Sequence, residues 1–202
     1  MTKRTRVHRI VVATGLTATA VLTTEAASRF IVTRFPDRPT APDLAYELLP
    51  HVPEGSYVTL VAIGALVLLF AAYVIRHEAE RIPAHITAVA LLYLLRAGMT
   101  VLTPLAHARN GSLLPFPFFE NGLFPSGHTA LSVLLILSID RKDAPRLHHT
   151  GTALLAVMIV SMLLSRGHYS IDIAGGALLG YFVWREWTGG HLLEPLRRLV
   201  SP

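Results

Sequence analysis

The sequence predicts an all-α protein: an integral membrane bundle of six transmembrane helices, one domain over residues 1–202, with both termini cytoplasmic. Three observations predict it. The chain is 52% hydrophobic and only 15% charged, against about 25% charge in a soluble domain. Six apolar segments approach the ~20 residues that a helix needs to cross a bilayer. Basic residues gather in alternate loops, as the cytoplasmic side of a membrane protein requires. With no cysteine present, a disulfide framework, a thiolate metal site and a cysteine nucleophile are excluded.

The first segment, 10–33, is rich in Thr and Ala and carries Glu25 and Arg29. Its basic start, "MTKRTRVHR", and the small residues of "TEAAS" also fit a cleaved signal peptide. The apolar run continues past that point to "FIVTRF", which favours a retained helix. Segments 56–75 and 83–105 are ordinary spans, as is 149–165. The fourth, 126–140, has about 15 residues, or ~22 Å of helix, so it starts inside the interface. The sixth is 169–187.

The loops fix orientation. Lys3, Arg4, Arg6 and Arg9 precede the first span, and Arg76 and Arg81 follow the second. Arg141, Lys142 and Arg146 follow the fourth, and Arg185, Arg197 and Arg198 end the sixth. The opposite side holds Arg34, Arg38, Arg109 and Arg166 with Asp37, Asp43, Glu47, Glu54 and Glu120. Six spans with both ends inside satisfy every loop. A site on the second face is extracytoplasmic, in the cell membrane.

Two stretches on that face carry chemistry. "PSGHT" opens the fourth segment. Pro125 suits a helix start, where its missing N–H has no partner to lose. Ser126 is an N-cap residue, and Gly127 lets a ligand approach the backbone. The free N–H groups of such a helix end attract phosphate. His128 lies in that first turn. "SRGHYSID", residues 165–172, precedes the sixth segment. His168 and Asp172 are four residues apart and share a helix face. A carboxylate on the imidazole Nδ1 fixes the tautomer and leaves Nε2 as a nucleophilic lone pair. His168 as nucleophile, Asp172 as its support and His128 as acid complete a set for phosphoryl transfer through phosphohistidine.

Arg96 lies about 13 residues into the third segment, ~20 Å from its cytoplasmic start. That is the outer half of a ~30 Å core, where an intramembrane arginine marks function. Arginine grips phosphate oxygens bidentately; pairing with Glu25 or a backbone carbonyl is the structural alternative. Arg166 reads equally as a phosphate ligand or as an interfacial arginine. Tyr169 reads as an interfacial anchor, and "AGGALLG" at 174–180 as close helix packing. Glu120, Asn121, His107, His148 and His149 read as solvated. His128, His168 and Asp172 also have the composition of a two-His, one-carboxylate metal site, which the neighbouring arginines oppose. A lipid-binding or transport protein using the same basic pocket is the non-enzymatic alternative.

"PSGH" and the H-x3-D of "HYSID" resemble two motifs of the type-2 phosphatidic acid phosphatase superfamily. "SGHT" and "HYSID", with Arg96, Thr100 and Thr103 before them, resemble its sphingomyelin-synthase-like branch over residues 90–183. Ser165 and Arg166 lie four residues closer to the histidine than in the general pattern, with Met162 at the arginine's expected place. The K-x6-R-P motif is missing. The resemblance implies six helices and a metal-independent phosphohistidine enzyme without a cofactor. Its substrate is a phospholipid or lipid phosphate, and its acceptor is water or a lipid alcohol. Catalysis falls to His168, Asp172 and His128. Phosphate binding falls to Arg96, Ser126, Gly127 and Arg166. No nucleic acid partner is expected, and oligomeric state is open.

The charge distribution has a direct test. A tag on either terminus is expected to be inaccessible from outside intact cells. A single cysteine at Gly167, in this cysteine-free chain, is expected to react with an impermeant thiol reagent there.

Overall fold

The computed structural model describes residues 3–106 and 123–201. His107, Arg109, Glu120 and Asn121 lie outside the described residues. Helices occur at all six apolar segments, and no strand occurs among the described residues. They are α1 (Lys3–Arg34), α3 (Gly55–His77), α4 (Ile82–Leu102), α5 (Gly127–Ser138), α6 (Pro145–Leu164) and α7 (Ser170–Thr188). The described residues also hold two short α-helices, α2 (Leu44–Leu48) and α8 (Glu194–Val200), and a 3-10 turn at Ala79–Arg81 that leads into α4.

Among the described residues, four stretches are long and apolar enough to cross a membrane: Val7–Arg34, Gly55–His77, Ala79–Leu102 and Pro145–Leu164. The other two segments differ from them for physical reasons. α7 carries Asp172, Arg185 and Glu186 within its 19 residues. α5 has 12 residues, about 18 Å of helix, shorter than the sequence pattern suggests. It ends early because Ile139 turns extended, while the Asp140 N–H reaches the Tyr73 hydroxyl at 3.2 Å.

α1 runs without a break through "TEAAS". Four of its threonines turn their hydroxyls back into the helix: Thr17, Thr19, Thr23 and Thr33 each donate to the carbonyl four residues back, at 2.7–2.9 Å. Such back-bonding lets a Thr-rich helix meet an apolar medium. Arg29 and Glu25 neutralise one another at 2.7 Å, one turn apart. A buried stripe of Ala13, Ala20, Ala27 and Ile31 faces inward, and α1 lies along α4. Small residues at that spacing allow close backbone approach.

α5 is the hub. It packs against α7, α6, α3 and α4. On one side Ala130 and Leu134 join Ala88 and Leu92 of α4 and Leu179 and Val183 of α7. On the other, Leu135 and Ile136 join Leu66, Phe70 and Tyr73 of α3. In lipid these contacts rest on van der Waals fit rather than on expulsion of water, so the fit between backbones matters. A Cβ on Gly176 of α7 would lie 2.5 Å from the Ser126 carbonyl oxygen, and one on Gly180 would run into the Ala130 carbonyl. "AGGALLG" therefore is the close-packing stripe that the sequence suggests, and it seats the start of α5 on α7.

Gly176→Ala and Gly180→Ala are expected to overpack the α5–α7 seam and destabilise by about 1–3 kcal/mol. Gly98→Ala, exposed on α4 with nothing within 4 Å of its added Cβ, is expected to be neutral or stabilising by up to about 1 kcal/mol. Thermal unfolding in detergent, followed by circular dichroism, separates the two classes.

Candidate functional site

The segment Phe124–Ser126 is held from two sides. From α4, the Arg96 Nε–H donates to the Pro125 carbonyl at 2.8 Å, and the Thr100 hydroxyl donates to the Phe124 carbonyl at 2.9 Å. From α7, the Asp172 carbonyl accepts the Ser126 N–H at 2.9 Å. Arg96 and Thr100 are one helical turn apart, so one face of α4 meets two successive carbonyls. Arg96 is 6% exposed. Of the structural alternatives, a backbone carbonyl is among its partners, while Glu25 is paired with Arg29.

This clamp delivers the start of α5. Ser126 is extended, and its Oγ accepts the Thr129 N–H at 3.4 Å, so it caps the helix as its type predicts. It is fully buried. Pro125 differs from expectation. It precedes the cap rather than opening the helix, because its carbonyl is needed by Arg96. Gly127 has a specific cause: a Cβ there would lie 3.0 Å from Arg96 Nε. Glycine lets the guanidinium slide under the first turn. His128 follows and is exposed.

The second half of the site is built the same way, from a helix start. Tyr169 is the N-cap of α7 and Asp172 sits in its first turn, where an anion is favoured by the helix dipole. Asp172 is fully buried. Its Oδ2 accepts the Tyr169 N–H at 3.0 Å and faces His168 Nδ1 at 3.4 Å. Its Oδ1 is buried without a hydrogen-bond partner. The 3.4 Å separation is long for an N–H···O bond. His168 is 9% exposed. The His128 and His168 rings stand 5.8 Å apart at 70°. The carboxylate thus lies on the Nδ1 side of the His168 ring.

The turn between α6 and α7 explains the displaced "SR". Arg166 N–H donates to Leu163 and Gly167 N–H donates to Met162, at 3.1 and 3.0 Å. This is the Schellman arrangement that ends a helix. Its left-handed residue, which is usually glycine, here is Arg166, with φ 55°. Arg166 lies against α2: Nη2 donates to the Tyr46 carbonyl at 3.1 Å, and the guanidinium sits 5.6 Å from the Tyr46 ring centroid. Ser165 is buried and bonds back to the Met162 carbonyl. Met162 lies beneath the site, its sulfur 4.0 Å from Ser126 Oγ.

Tyr169 is not an interfacial anchor. It is 1% exposed, and its hydroxyl accepts from Ala41 N–H and donates to the Ala106 carbonyl, both at 3.2 Å. It braces the segments before α2 and after α4 across the start of α7. Asp43 and Tyr46 carry no functional signal in a reading by spans, where Asp43 is merely one outer-face acid. The available clue is the "PDLAYEL" stretch, an aspartate N-cap ahead of helix formers. Asp43 caps α2 through Ala45 N–H at 2.9 Å and also receives the Ser170 hydroxyl at 2.8 Å.

The structure thus brings His128, His168, Asp172, Arg96, Ser126 and Gly127 to one place, with Arg166 one turn of chain from His168. Among the described residues, no three His or acidic side chains are arranged to hold a metal ion. Asp172 Oδ2 and His168 Nδ1 face one another rather than a common point. A cavity of about 500 Å³ lies elsewhere on this face, beyond the ends of α1 and α4, lined by Arg34, Phe35, Arg38 and Thr103 among others.

No curated protein matches the chain. A family model does, over residues 43–186: that of AtPDCT1/2, the phosphatidylcholine:diacylglycerol cholinephosphotransferases. This corrects the resemblance drawn from "PSGHT" and "HYSID" to the type-2 phosphatidic acid phosphatase superfamily and its sphingomyelin-synthase-like branch. Those motifs are short, and short motifs carry a high risk of chance matches. The match also begins well before residue 90 and takes in α2, which the motif reading omitted. Over most of its length, from Asp43 to Glu186, the chain belongs to the AtPDCT1/2 family.

Proposed function

We propose that this protein is a phospholipid headgroup phosphotransferase that works through a phosphohistidine on His168. The observation that carries the reading is the His168–Asp172 pair: a fully buried carboxylate facing Nδ1, with His128 across the opening. Family membership supports lipid phosphotransfer and favours a lipid alcohol over water as acceptor.

In the first step His168 Nε2 attacks the phosphorus of a phospholipid. The N–P bond forms, the P–O bond to the glycerolipid breaks, and His128 gives a proton to the departing oxygen. Asp172 supports the charge that develops on the His168 ring. In the second step His128 takes the proton of an acceptor lipid hydroxyl. The new O–P bond forms, the N–P bond breaks, and the headgroup phosphate leaves on the acceptor. Arg96 and the Gly127 amide at the α5 terminus stabilise the phosphoryl oxygens, with Arg166 beside them. Ser126 acts through its cap, which aims those amides. No metal is needed in this scheme, because the cations of the site are arginines.

The architecture proposed with it is a single membrane domain over residues 1–202 with six helices crossing or entering the bilayer. Both termini are cytoplasmic, and the site opens near the outer leaflet. α5 and α7 both begin at the site. The shortness of α5 recesses it below the surface, where a lipid phosphate and a lipid hydroxyl meet.

Exchange of labelled headgroup between phosphatidylcholine and diacylglycerol tests this. Double-reciprocal plots are expected to be parallel, the sign of a covalent intermediate. His168→Ala is expected to abolish exchange, and Asp172→Asn and His128→Ala to lower kcat by about 10²–10⁴. Full turnover in His168→Ala on any phospholipid substrate would overturn the mechanism. Unchanged rates in chelator are expected; loss restored by a divalent ion would return the metal reading.

A further inference from the structure

We infer that Tyr46 and Arg166 form an oxygen-binding subsite that holds a phosphoryl oxygen of the donor lipid beside His168. The inference rests on the phosphotransferase reading above. Tyr46 belongs to α2, and nothing in the mechanism so far uses it.

Two buried donors carry the argument. Tyr46 Oη and Arg166 Nε are both shielded from solvent, and neither has a hydrogen-bond partner among the described residues. Buried polar groups in native proteins rarely stay so, and an orphaned one is unfavourable. Both belong to one contact, with the guanidinium 5.6 Å from the Tyr46 ring centroid and Nη2 on the Tyr46 carbonyl. Two donors, one of them cationic, suit an anionic oxygen.

Three further observations show the pair is held in place. Arg166 occupies a left-handed backbone position, φ 55°, where glycine is the easier residue. Strain of this kind gathers at ligand clamps. Tyr46 packs on Tyr169 with ring centroids 5.6 Å apart, and Asp43 ties α2 to Ser170 of α7. Tyr46 also shares the electrostatic surroundings of the catalytic pair. Burial raises its phenol above the ordinary tyrosine value, and Asp43, Tyr169 and Asp172 add to this while Arg166 opposes it. The phenol therefore stays protonated and remains a donor at physiological pH.

Tyr46→Phe tests this in the full-length chain, purified in a detergent without phosphorus. The change removes only a hydroxyl that bonds to nothing among the described residues, so thermal stability is expected to hold or rise. KM for short-chain phosphatidylcholine and the inhibition constant for orthovanadate are expected to rise about tenfold, with kcat nearly unchanged. Arg166→Lys, which keeps the charge and loses Nε, is expected to act in the same sense. The double variant is expected to fall short of the product of the two, because both hold one oxygen.

Unchanged KM in Tyr46→Phe overturns the subsite, as does a fall in kcat at constant KM, which would make the phenol a brace for Asp172. Fully multiplicative effects overturn the shared ligand. If His168→Ala is inactive and Tyr46→Phe behaves as wild type, the subsite fails and the phosphotransferase reading stands. If His168→Ala stays active, that reading fails. Orthovanadate stabilisation of wild type against Tyr46→Phe, measured by thermal shift, then still decides the subsite.

Discussion

The clamp on Phe124–Ser126 is the constraint on which the rest depends. Three backbone groups of this short segment are bonded to α4 and α7: two carbonyls to Arg96 and Thr100, and one N–H to the Asp172 carbonyl. In an apolar medium a loose loop at this depth would leave several polar groups without partners. Here each of these three is matched, and the match fixes where α5 begins. The position of His128 follows from it. The clamp also joins the two halves of the site directly, since Asp172 holds Ser126 with its backbone and faces His168 with its side chain.

The small residues make the same point from the side of packing. Gly127 gives room to Arg96, and Gly175, Gly176 and Gly180 give room to Phe124, Ser126 and Ala130. At Gly127, Gly175 and Gly176 a methyl group would crowd the clamp, and at Gly180 it would crowd α5 below it. The intramembrane arginine is thus both structural and chemical. One nitrogen holds the Pro125 carbonyl, and its charge lies under the helix end that is proposed to receive phosphate. Such dual use explains how a costly charge is kept inside the bundle.

Much of this was legible in the sequence, and the limits have physical causes. The six segments were visible as apolar runs, and Ser126, His128, His168, Asp172 and Arg96 through residue types that are expensive or specialised at a membrane face. The AGGALLG packing was visible through composition. The boundary of α5 was not, because it depends on a hydrogen bond to Tyr73 far away in the chain. Tyr169 looked like an anchor because an aromatic at a helix start normally meets headgroups; only the fold reveals Ala41 and Ala106 at its hydroxyl. Tyr46 and Asp43 were invisible for the same reason. The family reading went astray because it rested on two short motifs, and short motifs match by chance. The match from Asp43 onward draws on the helices between them as well.

The central claim is that His168, and not His128, carries the phosphoryl group between two lipids. Phospholipid labelled in its headgroup phosphate, incubated with the protein in the absence of acceptor and quenched in alkali, reports this directly. The account predicts base-stable, acid-labile label confined to the peptide that contains His168, discharged when acceptor lipid is added. Label on the His128 peptide, or continued turnover with no labelled histidine at any time, would contradict it.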